Sequence, residues 1–135
     1  VDGHDRYREA VTDWFWEVIA RSNGDKARMR RILTEELTLD ELCAFHDELE
    51  DAAADLLDEP FTDFMTKDSE DGARDVAYWM VSQGRAYYDD AFEHPEKTPE
   101  TTHWLPDGVL HEGITLAVYW DRTGMDMPDL VREDD

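Results

Sequence analysis

Cysteine is almost missing from this 135-residue sequence: Cys43 stands alone. One thiol excludes an internal disulfide and any zinc site built on several cysteines. Lysine is nearly as scarce, with three residues beside ten arginines, and these thirteen cations face 35 carboxylates for a formal net charge of -22. Affinity for a nucleic-acid backbone comes largely from counterions displaced by lysine and arginine, so direct nucleic-acid binding is not expected of so acidic a chain. Anionic membrane surfaces are disfavoured for the same reason. Long apolar runs are missing as well. No stretch approaches a membrane span, and the opening VDGHDRYREA has no signal-peptide core. The expectation is a soluble, cytoplasmic protein.

What the chain does have is enough to bury a core. Apolar residues make up 41%, and Trp, Tyr and Phe appear five times each, bringing large areas to remove from water. At this length one domain is expected, over residues 12–128, with residues 1–11 and 129–135 as loosely held polar tails. Asp exceeds Glu by 21 to 14, and residues 35–71 hold fifteen acids and a single Lys. Such acidity favours basic partners or cations. It is equally what a GC-rich or salt-adapted source would produce.

The hydrophobic spacing reads as helices throughout. TDWFWEVIARS (12–22) is a first helix capped by Thr12 or Asp13, with Trp14, Phe15, Val18 and Ile19 on one face. NGD breaks it, and Asp25 can cap a second helix, KARMRRILTEEL. Thr38 and Glu41 form a capping box that opens a third helix, to about Asp58. A fourth is expected from the KDSEDG loop to about His94, and a last one from Leu110 to Thr123 with Gly124 as its stop. The fold class is all-α, a single-domain bundle of about five helices.

Several stretches resemble one bacterial family, domain of unknown function 4240. They are FWEVIARS, LTLDELCAFHDELEDAAADLLD, YWMVSQGRAYYDDAFEHPE and HEGITLAVYWDRTGMDMP, so the resemblance covers roughly residues 12–128. Members usually carry a Gly- and Cys-containing turn with paired acids before the fourth helix. Here FMTKDSEDG keeps the acids and lacks the Cys, so a function needing that Cys would not transfer. The resemblance implies the fold and no activity.

Two helices carry polar residues inside apolar stripes. On the fourth, Val76, Met80, Tyr87 and Ala91 form a stripe that includes Gln83 beside Trp79, while Gly84 would allow another backbone close. Tyr78, Ser82, Arg85 and Asp89 form its polar face. On the third, His46 falls among Leu42, Leu49, Ala53 and Leu56, with Glu50 one turn on. His46 and Gln83 are expected to meet as one buried polar contact, either as satisfied core or, with Trp79 and Arg85, as the wall of a ligand pocket. Asp47, Asp51, Asp55 and Asp58 recur at three or four residues as an acidic ridge, either a solvated face or a docking face. The basic cluster Arg21, Lys26, Arg28, Arg30 and Arg31 is expected to pair with that third helix or across subunits. DSEDG only faintly resembles a calcium loop, and the histidines at 4, 94, 103 and 111 show no metal-ligand spacing. No catalytic set and no cofactor signature is found.

The expected function is a non-enzymatic interaction or regulatory module, binding a basic protein or peptide through its acidic face, in one version as an immunity or antitoxin-like protein. The alternative is a small enzyme or ligand-binding protein with a pocket between the third and fourth helices. Oligomeric state is left open.

Overall fold

Six α-helices and no strand form the described residues, 11–66 and 70–128, of a computed structural model. Residues 1–10, 67–69 and 129–135, which include most of the expected polar tails and the first two residues of DSEDG, lie outside the described residues. Helix α1 (Asp13–Ser22) opens where Thr12 Oγ1 accepts the Phe15 N–H and closes on Asn23, a left-handed residue at φ 50°. The Asp25 carboxylate accepts the Ala27 and Arg28 N–H groups and starts α2 (Lys26–Arg31), which runs on into a π-turn, Ile32–Glu36. The capping box is present: Thr38 Oγ1 accepts from Glu41 N–H at 3.1 Å, and Glu41 Oε1 accepts from Thr38 N–H at 2.8 Å. It begins α3 (Leu39–Asp55). Then come a 3-10 turn (Phe61–Phe64), α4 (Glu70–Ser82), α5 (Arg85–Glu93), another 3-10 turn (Pro95–Lys97) and α6 (Ile114–Thr123), stopped by Gly124.

The all-α bundle is as expected, and its helix boundaries differ at three places. Helix α3 ends at Asp55, short of Asp58. The expected fourth helix is two, because Gly84 adopts φ 100° and ψ 177°, a conformation that side-chain-bearing residues rarely take. A Cβ on Gly84 would meet nothing within 4 Å, so this glycine turns the backbone and does not admit a neighbour. Finally, α6 starts at Ile114 and not at Leu110. The Leu110 N–H is already given to Ser82 Oγ at 3.0 Å, and that hydroxyl donates to Tyr78 O at 2.8 Å. The residues before α6 thereby lie flat on α4. Gly108 makes the fit possible, since a Cβ there would stand 2.8 Å from Ser82 Oγ.

The same docking explains why Tyr78 and Ser82, expected on a polar face, are buried. The core is otherwise the one the spacing indicates. Leu42, Leu49 and Ala53 of α3 and Leu56 at its end are buried, as are Val76, Met80 and Ala91. Phe15 stacks on Phe45 with centroids 4.7 Å apart, and Trp16 leans on Tyr88. Full burial of side chains of this size stabilises by about 1.5–3 kcal/mol each. Helix α3 packs on α4 and α6, and α6 also covers the π-turn.

Candidate functional site

The four residues proposed for a pocket are not brought together. His46 and Gln83 do not meet: His46 Nδ1 and Thr115 Oγ1 share a 2.6 Å hydrogen bond, while Gln83 is exposed and donates to Trp79 O in the last turn of α4. The break at Gly84 is the physical reason, because it ends α4 at Ser82 and leaves Gln83 in the turn. Arg85 faces Asp13 at the start of α1 and lies 3.8 Å from Asp89. Trp79 donates its indole N–H to Pro106 O at 2.9 Å and meets Tyr87 edge-on.

The acidic ridge is also different from its expected form. Asp58 is exposed and Asp47 and Asp51 are half-buried, but Asp55 is buried at 4% exposure. An unbroken solvated ridge is therefore not formed. Three of the five basic residues pair within the chain, though with other partners than α3: Arg21 with Glu36, Lys26 with Asp107 and Arg30 with Asp121. All are exposed pairs, of the kind that contributes about 0–1 kcal/mol.

The polar groups that do converge lie between α3, α4 and the start of α6. Tyr78, only 4% exposed, donates its hydroxyl to Glu50 Oε2 at 2.8 Å. The other oxygen of Glu50 stands 3.9 Å from His46 Nδ1, and His46 is held by the buried Thr115. Across from them Arg74 reaches Glu112 at 3.4 Å. Glu50, Arg74, Tyr78 and Glu112 line an open cleft of about 550 Å³ whose remaining surface is largely apolar, including Ala53, Leu57 and Leu116. Burial pushes the Tyr78 phenol well above its ordinary pKa; the Glu50 hydrogen bond and the charges of Glu50 and Glu112 push the same way, against Arg74. Tyr78 also lines a smaller cleft of about 290 Å³ beside Trp79.

Sequence reasoning placed Glu50 only as a neighbour of His46 and did not single out Arg74, Tyr78 or Glu112 as a site. Their contacts join residues 28 and 38 apart, beyond any helical period. One local grouping was also missed. Asp90, Glu93 and His94 bring ligand atoms within 4.8 Å of one another, correcting the expectation of no ligand spacing at His94. Asp90 already accepts from Lys97, and His94 lies 3.4 Å from Glu96. Two of the three are thus already engaged by neighbouring side chains. Among the described residues, no helix is long and apolar enough to cross a membrane.

Residues 11–117 match the family described as protein of unknown function DUF4240. No curated protein and no solved structure matches the chain.

Proposed function

The chain belongs to the DUF4240 family, and since that membership brings no activity with it, we propose a function from the cleft itself. The protein is a non-enzymatic interaction module that takes a cationic group of a basic protein or peptide between α3, α4 and α6. The observation carrying this reading is that Glu50 of α3 and Glu112 of the turn before α6 line one partly apolar cleft in which Arg74 is the only cation among the described residues. Glu50 is held in place by Tyr78, so less freedom is lost when a cation arrives. Tyr78 is the one hydroxyl in the lining among the described residues, and burial keeps it protonated, which suits a wall better than a nucleophile. The chain's charge adds long-range attraction, felt in the association rate and its salt dependence. A specific form of this reading is an immunity or antitoxin-like protein that covers a basic surface of a toxin. In this reading the protein works in the cytoplasm.

Calorimetric titration with an arginine-containing basic peptide tests it. Glu50→Gln and Glu112→Gln should each weaken binding about two- to fivefold, in line with partly exposed charge pairs. Asp58→Asn, an exposed acid outside the cleft, should change little. Equal affinity in all four proteins would assign the attraction to diffuse charge and remove the cleft. A second reading, a small cationic ligand, is favoured by the cleft volume of about 550 Å³, within the usual range of small-molecule sites. It predicts binding of simple amines with the same dependence on Glu50 and Glu112.

A further inference from the structure

Helix α6 buries Ile114, Thr115, Val118 and Tyr119 and turns Leu116 and Trp120 outward, 46% and 54% exposed. Four residues apart, these two share a face, and Leu116 is already part of the cleft lining. Glu112 stands four residues ahead of Leu116, in the turn before the helix. Acidic cleft and apolar stripe are therefore continuous. Long charged side chains commonly lay their stems over such a stripe. Here the neighbours are engaged elsewhere: Asp121 pairs with Arg30 at 2.7 Å, and Arg122 donates to Leu33 O at 3.1 Å. Among the described residues Trp120 has no aromatic ring partner.

Resting on the reading of the cleft as a cation site, we infer that the partner is an amphipathic basic segment of another protein. Its Lys or Arg enters between Glu50 and Glu112, and an apolar side chain beside that cation covers Leu116 and Trp120. Charge complementarity selects this occupant. A second copy of the chain would bring another net charge of -22 to the same surface, and an anionic lipid surface is repelled alike.

Two synthetic peptides of equal charge decide it, one with Leu beside Arg at helical spacing and one with each Leu replaced by Ser. The Leu peptide should bind the wild-type chain about tenfold more tightly at physiological salt, the value of burying roughly one such side chain. That preference should vanish in Leu116→Ser and Trp120→Ser, whose exposed positions leave the thermal midpoint nearly unchanged. Equal binding of both peptides, still weakened by Glu50→Gln, overturns the apolar half and leaves the cleft reading standing. A preference that survives in both surface variants overturns it too, because the apolar contact then lies elsewhere. Binding of neither peptide, or binding indifferent to Glu50 and Glu112, overturns this inference together with the cleft reading.

Discussion

Tyr78 joins the core to the cleft, and a single atom separates its two roles. Its ring is buried, and its hydroxyl holds Glu50 at 2.8 Å. Tyr78→Phe keeps the ring and removes the bond, at an expected cost of about 1 kcal/mol, because the half-exposed Glu50 can turn to water. The alkaline side is more diagnostic. A phenol in the unfolded chain releases its proton near pH 10. Burial, followed by the Glu50 hydrogen bond and nearby negative charge, makes the folded chain hold that proton to higher pH. Stability from this group is thus complete below about pH 10 and falls as pH rises beyond it. Urea midpoints on both sides of that pH should drop less in Tyr78→Phe than in the wild type. The drop should not disappear, since Tyr87 is raised too, by burial and then by Asp90. Identical curves for the two proteins would show that Tyr78 ionises as freely folded as unfolded. The partners of this residue were not legible in the sequence. Helical spacing reports neighbours three and four positions away, whereas Glu50 lies 28 positions from Tyr78.

Among the elements, legibility followed the range of the interaction. Thr12, Asp25, the Thr38–Glu41 pair and Gly124 all act within four residues, and each starts or stops a helix where the sequence indicates. The division of α4 from α5 was not legible, because apolar residues keep a helical period on both sides of Gly84 and an isolated glycine is often tolerated inside a helix. Only the packed bundle requires the turn. Gly84→Ala therefore costs about 1–3 kcal/mol through backbone strain, although the side chain would have free space. A melting curve checks this, and an unchanged or raised midpoint would mean that the two helices can fuse without penalty. The late start of α6 has a similar origin. Leu110 suits a helix by itself, but its N–H is taken by Ser82, 28 residues earlier.

For the molecule as a whole, charge is the dominant fact. A net charge of -22 on 135 residues opposes its own compaction, and ion pairs such as Arg21–Glu36, Lys26–Asp107 and Arg30–Asp121 neutralise only part of it. Added salt shortens the screening length to about 8 Å at physiological strength, so sodium chloride should raise the urea midpoint from its low-salt value. A flat or falling midpoint would show that repulsion is already relieved by the arrangement of the acids. Charge was plain in the sequence, but its placement was not, because Asp55 shares the spacing of Asp47, Asp51 and Asp58 and yet is buried. The contacts of α6 have a consequence in time. Thr115 supplies the partner of His46, Arg122 reaches back 89 residues to Leu33 O, and Asp121 meets Arg30. While the chain is being synthesised, the first five helices emerge from the ribosome with those groups unanswered and the seat of Val118 open. The nascent protein must wait for α6 before it closes, and until then the apolar surface that Ile114 and Val118 later cover is available to chaperones.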